Sequence, residues 1–275
     1  MDDGTSKTTS TLYGRAMSRR YDDDFVALFG GADRGDLDFF RSQAAQTRGD
    51  ICEVGAGTGR VLFALGEVSR GRVLHGVEPS PWMREGFEAN RVGLEPEVDA
   101  RVRLHAGGFV DVPLAGGSVG FVYAAFRSFQ HVLEVEEQEA GLRSMLRVLE
   151  PGGRMAIDLF DPPYALLADT RERLGKRYRT PDGTVVSRYE SRRVVREKQR
   201  VDVTLRWVER VARGPERGTV VREEVETYGV RYTFPYELLH LVKGAGFVEV
   251  ELCGGYDGRP LGPVPGELVV TARRR

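Results

Sequence analysis

The chain has 275 residues, 41% hydrophobic and 29% charged, the balance of a globular protein long enough for one α/β domain with an insertion. A formal net charge of −1 excludes bulk electrostatic attraction to nucleic acid or membrane, and two cysteines, Cys52 and Cys253, each in an apolar run, support neither a disulfide framework nor a zinc site. No apolar run reaches a membrane span and the opening MDDGTSKTTS lacks the apolar core of a signal peptide, so the expected location is the cytoplasm.

Residues 1–12 are polar and small, and a mobile tail is expected over 1–20. Residues 21–46 read as helical, with Phe25, Leu28 and Phe29 and then Leu37, Phe39 and Phe40 at near-helical spacing. Ile51 to Val54 is a short apolar run ending at a glycine, a buried strand; Val61, Leu62, Leu65 and Val68 follow at helix spacing. A second strand, Val73 to Val77, ends in Glu78. Trp82 to Asn90 reads as a helix, and Val102 to Leu104 and Val119 to Ala125 as strands. Glu136 to Leu149 is an amphipathic helix with Leu142, Met145, Leu146 and Leu149 on one face, broken by Pro151-Gly152-Gly153; Met155 to Phe160 is the next strand.

This alternation predicts an α/β fold, a mostly parallel sheet with helices on both faces. The period then changes. Val185 to Val195, Arg200 to Arg210 and Val220 to Phe234 alternate roughly every two residues, which predicts a three-stranded antiparallel meander inserted over 185–235. Tyr236 to Ala245 returns to helix, and Phe247 to Leu252 with Glu267 to Ala272 make an antiparallel terminal pair.

The stretch EVGAGTGR at 53–60 carries the first chemical signal. A strand entering a glycine turn and then a helix forms a ligand crevice at the strand's C-terminal end. The spacing is G-x-G-x-G rather than the G-x-G-x-x-G of dinucleotide binding, and the turn opens with Glu53, which would repel a pyrophosphate. Glu78 ends the second strand, at the distance where a carboxylate grips a ribose diol. Together these describe a nucleoside that carries positive charge and no phosphate, as S-adenosylmethionine does.

EVGAGTGR, the VEPSPWM run, PGGRMAIDLF and the terminal GELVVTARR together resemble the class I S-adenosylmethionine-dependent methyltransferases, from about residue 20 to the end. Asp36 to Phe39, Phe126-Arg127-Ser128-Phe129-Gln130-His131 and Tyr232 to Glu237 resemble a bacterial small-molecule subgroup. The resemblance implies a Rossmann-like methyltransferase domain over 21–275, with the inserted sheet over the acceptor site, S-adenosylmethionine as cofactor, S-adenosylhomocysteine as product, and no metal. It places Glu53, Gly55, Ala56 and Gly57 beside the methionyl end and Glu78 on the ribose, with Pro79 and Ser80 shaping the turn. Trp82 or Met83 packs on the adenine, Tyr21 closes the carboxylate end, and Ala124 and Phe126 lie beneath the methionyl chain. One departure stands out: where such families carry an acid after the third strand, this chain has Gly108. Backbone groups and stacking on Phe109 are then expected to hold the adenine, with Asp111 as a displaced substitute.

Methyl transfer from a sulfonium needs alignment more than a protein nucleophile, and a base only for a protonated acceptor. His131 follows the fourth strand and reads either as that base or as a structural histidine. Arg127 suits an acceptor carboxylate or a solvated face; Tyr232 and Tyr236 suit the acceptor pocket or the core. Acidic residues interspersed among Arg192, Arg193, Arg196, Lys198 and Arg200 favour a solvated sheet face over a nucleic-acid groove. The expected protein is a small-molecule N- or O-methyltransferase of natural-product biosynthesis, a homodimer through the inserted sheet, without nucleic-acid or membrane partners. An RNA or protein methyltransferase and a catalytically silent cofactor-binding subunit are the alternatives.

Overall fold

A computed structural model describes residues 13–30, 34–168, 170–263 and 266–275. Helices α1 (Arg15–Phe29) and α2 (Asp36–Ala45) lead into strand β1 (Asp50–Val54), α3 (Arg60–Val68), β2 (Leu74–Glu78) and α4 (Pro81–Arg91). The short α5 (Pro96–Asp99), β3 (Val102–Ala106) and β4 (Val119–Ala124) follow, then a 3-10 turn at Ser128–His131, α6 (Val135–Val148) and β5 (Leu149–Phe160). Next come α7 (Tyr164–Ala168), β6 (Arg173–Arg179), β7 (Thr184–Val195), β8 (Arg200–Val211) and β9 (Val220–Arg231). Helix α8 (Pro235–Gly244), β10 (Val248–Cys253) and β11 (Glu267–Arg273) complete the order.

Seven strands form one sheet in the order β10-β11-β5-β4-β1-β2-β3. Strands β5, β4, β1, β2 and β3 are parallel, and β11 runs antiparallel to both its neighbours. The centre is apolar on both faces, as β4 shows with every residue buried, because helices cover both sides. One core packs Leu142 and Met145 of α6 and Leu238 and Val242 of α8 on the sheet; another packs Phe40 of α2, Leu62 and Leu65 of α3 and Phe87 of α4 on the opposite face. Strand order reverses between β1 and β4, so their C-terminal ends splay apart and leave a crevice.

The inserted sheet has four antiparallel strands, β6-β7-β8-β9, rather than three. Strand β6, RLGKRYR, is an edge strand with nearly every residue exposed, so it carries none of the apolar alternation that reveals the other three. The sheet's apolar face, with Trp207, Val203, Leu205 and Val186, closes on Ala16 and Met17 of α1.

Part of the segment expected as a tail over 1–20 is helical. Residues 15–20 begin α1, where Met17 and Arg20 are buried, and residues 1–12 lie outside the described residues. Helix α6 ends at Val148, where Leu149 turns extended, so Pro151-Gly152-Gly153 fall inside β5 instead of terminating the helix.

Candidate active site

From the end of β1 the chain turns through Gly55 and Gly57, with φ of +79° and +56°. A Cβ at Gly55 would lie 2.7 Å from the Cβ of Ser128, so this glycine makes room for the turn after β4 as well as taking a left-handed conformation. The amides of Gly55 and Ala56 donate to the Val77 carbonyl (2.8 and 3.1 Å), and that of Gly57 donates to Glu78 Oε2 (2.9 Å). These three N–H groups are thereby engaged within the protein, the opposite of a loop built to cradle phosphates.

The Glu78 carboxylate is held at both ends, because Oε1 accepts from the Ser80 amide at 2.8 Å. Each oxygen keeps a lone pair, and the side chain stands on the cavity wall. Burial raises its pKa, against the pull of the two amides. Glu53, 3% exposed at the end of β1, accepts from the Tyr123 hydroxyl at 3.0 Å. Burial pushes its pKa up to about 8, with Tyr123 and the Arg60 charge opposing.

These groups open on a cavity of about 510 Å³. Tyr21, Glu53, Gly55, Ala56, Gly57 and Glu78 stand on its wall, and Pro79, Met83, Gly108, Phe109, Phe126 and His131 continue it. Two expected residues do not. Ser80 is fully buried as the N-cap of α4, its hydroxyl donating to the Tyr13 carbonyl at 2.7 Å and accepting from the Met83 amide. Ala124 faces the core beneath α6, and Ala125 takes the wall position. Met83 rather than Trp82 reaches the cavity, since the Trp82 ring lies under the Arg15 guanidinium. Asp111 reaches the rim, but its side chain is 92% exposed and pairs with Arg147 at 3.6 Å.

Sequence reasoning missed Tyr13, Arg60, Ser128 and Glu137 on this wall. Arg60 was findable as the last residue of the glycine motif and first of α3; its guanidinium pairs with buried Asp36 and lies 4.5 Å from the Phe25 ring. Tyr13 comes from a segment with no motif, brought in by α1.

Past β4, Phe126 and Arg127 both adopt left-handed backbone conformations, with φ of 53° and 66°. Consecutive non-glycine residues of this kind are strained and need support. Asp158, fully buried at the end of β5, supplies it, with Oδ1 3.5 Å from the Arg127 amide and Oδ2 accepting from the Tyr256 hydroxyl at 2.7 Å.

A second cavity, about 390 Å³, lies between α1, the inserted sheet and this turn. Tyr13, Tyr21, Phe126 and His131 line both cavities. Apolar side chains such as Phe25, Val201 and Leu205 dominate the wall, with Arg127, Arg188 and Tyr228 among the polar ones. Arg127 is committed to Glu267 at 2.6 Å, with its guanidinium 4.6 Å from the Phe160 ring. Tyr232 lines this cavity; Tyr236, at the start of α8 and 73% exposed, lines neither.

His131 is buried between the two spaces. The Gly229 carbonyl, 3.1 Å from Nδ1, can only accept, so Nδ1 carries the hydrogen and Nε2 accepts from the Tyr13 hydroxyl at 2.7 Å. Burial lowers its pKa to about 4, so the ring is neutral near pH 7. Among the described residues no group of three or more His, Cys, Asp or Glu is placed to hold a metal, and no helix is long and apolar enough to cross a membrane.

Fold and crevice together define an α/β protein with a ligand-sized crevice at the switch point of its sheet. Residues 51–153 match the family model of a methyltransferase domain. The chain is similar to the CcbJ methyltransferase from Streptomyces caelestis, with 24% identity, TM-score 0.73, and 96% of this chain and 98% of the other covered. It is similar to the sugar N-methyltransferase KedS8 from Streptoalloteichus sp ATCC 53650 (21%, 0.71, 100% and 99%) and to CalS10, an amino pentose methyltransferase from Micromonospora echinaspora (21%, 0.66, 96% and 99%). At these identities the likeness carries the fold. No curated protein matches in sequence. The chain therefore contains a methyltransferase domain over residues 51–153 and shares the fold of these solved methyltransferases.

Proposed function

We propose that the protein methylates an amine of a small molecule, an amino sugar or a related natural-product intermediate. The observation that carries this reading is the junction of the two cavities at Tyr13, Tyr21, Phe126 and His131. A donor space and an acceptor space that share one aromatic wall put the transferred group and its recipient side by side. The printed names of KedS8 and CalS10, a sugar N-methyltransferase and an amino pentose methyltransferase, support the acceptor class.

The first cavity fits S-adenosylmethionine, which would supply a methyl group already activated on a sulfonium. Glu78 accepts from the ribose hydroxyls, with Pro79 and Ser80 holding its turn. Glu53 faces the ammonium end beside Gly55, Ala56 and Gly57, and Arg60 and Tyr21 close the carboxylate end. Phe109, Gly108 and Met83 take the base, and the Phe126 ring offers its π face to the positive charge.

The geometry at His131 favours nitrogen over oxygen. An alkyl hydroxyl is about as weak an acid as water, roughly 16, and an imidazole at about 4 falls far short of deprotonating it. An amine needs only its own lone pair, and the apolar second cavity favours its neutral form. The Tyr13 oxygen accepts an amine N–H, its hydroxyl donates to His131 Nε2, and Nδ1 donates to Gly229; a chain of hydrogen bonds polarises along this line. His131 therefore orients the acceptor rather than carrying its proton. Arg127, Tyr232 and the inserted sheet bound the acceptor. Arg192 pairs with Glu190 and Arg200 with Asp202, so these cations are neutralised within the sheet rather than offered to a nucleic acid.

Methyl transfer to matched pairs of amino sugars and their hydroxyl counterparts, free and nucleotide-linked, tests the reading by mass. Methylation of the amines alone is expected; a methylated hydroxyl in an amine-free acceptor contradicts it.

A further inference from the structure

An adenine amino group is a hydrogen-bond donor, and a pocket that selects adenine over other purines presents an acceptor to it. Gly108 has no side chain for this, and Asp111 points to solvent and Arg147. Another element lies over the same segment. Positions 137, 141 and 144 of α6 are spaced to share one helical face. The last two touch the chain after β3: a Cβ at Gly141 would lie 3.1 Å from the Phe109 Cβ, and Ser144 Oγ accepts from the Val112 amide at 2.9 Å. One turn before Gly141 on that face, Glu137 reaches the wall of the first cavity, which Gly107, Gly108 and Phe109 also line. It has no hydrogen bond or ion pair among the described residues. Its neighbour Glu136 is exposed and lines neither cavity.

We propose that Glu137 accepts the hydrogen bond of the adenine amino group, so that a carboxylate from α6 does the work of the acid missing after β3 and makes the site selective for adenine. This rests on the cofactor reading above. A carboxylate in the first turn of a helix also favours the helix dipole, but that effect would be common to Glu136 and Glu137 and blind to the purine.

Calorimetry separates the two with S-adenosylhomocysteine and its deaminated analogue, S-inosylhomocysteine, whose ring presents an oxygen acceptor where adenine presents a donor. The wild type should prefer the adenine ligand by about tenfold or more, the scale of one hydrogen bond to a charged group. Glu137→Ala should weaken adenine binding and shrink the preference to about threefold or less. Glu137→Gln, which keeps the shape and whose amide can donate to the inosine oxygen, should shrink or invert it. Glu136→Gln should leave the preference unchanged. Glu78→Ala should weaken both ligands equally, since the ribose is common to them. An unchanged preference in Glu137→Gln with a normal melting profile overturns the assignment and leaves the cofactor reading standing. A wild type that binds neither ligand overturns the cofactor reading, and Glu137 with it.

Discussion

Glu53 binds its proton where an ordinary carboxylate has lost it. Burial raises its pKa from 4.5 to about 8, so at pH 7 the empty site holds the neutral acid. A ligand ammonium beside it favours the charged form, and binding should expel about one proton. Affinity should therefore rise with pH from 6 towards 8. The sign for stability is opposite: between 4.5 and 8 the folded state holds a proton that the unfolded chain has released, so this group's contribution falls as pH rises through that window. Binding enthalpies in phosphate and Tris at pH 6.5 should differ by about one proton's ionisation, and Glu53→Gln should abolish the difference. Buffer-independent enthalpy in the wild type would remove Glu53 from the ammonium. His131, at about 4, stays neutral from pH 6 to 9 and contributes no inflection to the rate profile there. His131→Ala should depress turnover by roughly 10²-fold, as for a lost positioning contact, with cofactor affinity nearly intact; full turnover would make it purely structural. Glu53 and Glu78, which line the first cavity, were legible in the sequence because each lies at the C-terminal end of a strand beside a glycine turn or a proline. Tyr13, Ser128 and Glu137 were not, because each reaches the site from a different element and no local pattern marks the convergence.

Helix α1 joins the glycine loop after β1 to the inserted sheet. Asp22 accepts from the Thr58 hydroxyl at 2.7 Å on one side. On the other, buried Asp24 accepts from Trp207 Nε1 and the Tyr178 hydroxyl, each at 2.8 Å, with Arg188 3.3 Å away. Asp24→Ala strands the Trp207 and Tyr178 donors, while Arg188 keeps Glu190 at 3.0 Å, and a loss of about 2–4 kcal/mol is expected in denaturant unfolding. Because α1 follows Tyr13 and carries Tyr21, cofactor affinity should fall in the same variant. Stability within about 0.5 kcal/mol of wild type would show that the helix is held elsewhere. The strands of the main sheet were readable because burial on both faces makes them short continuous apolar runs. Strand β6 was unreadable for the reverse reason, its exposed edge being filled with arginine and lysine.

For the whole molecule, the main sheet carries the first cavity and an insertion between β5 and α8 bounds the second. The order of the main-sheet strands was legible; the partnership of α1 with the inserted sheet was not, since it joins residues about two hundred positions apart. Sedimentation at micromolar concentration tests the expected homodimer, and a single monomeric species removes it without touching either cavity. The central claim is the nucleoside site itself, and titration calorimetry with S-adenosylmethionine tests it most directly. The wild type should bind at one site per chain, and Glu78→Ala should bind about ten- to a hundredfold more weakly, the range for hydrogen bonds to a charged group. Equal affinity in the two proteins, or no binding by the wild type, would contradict the account.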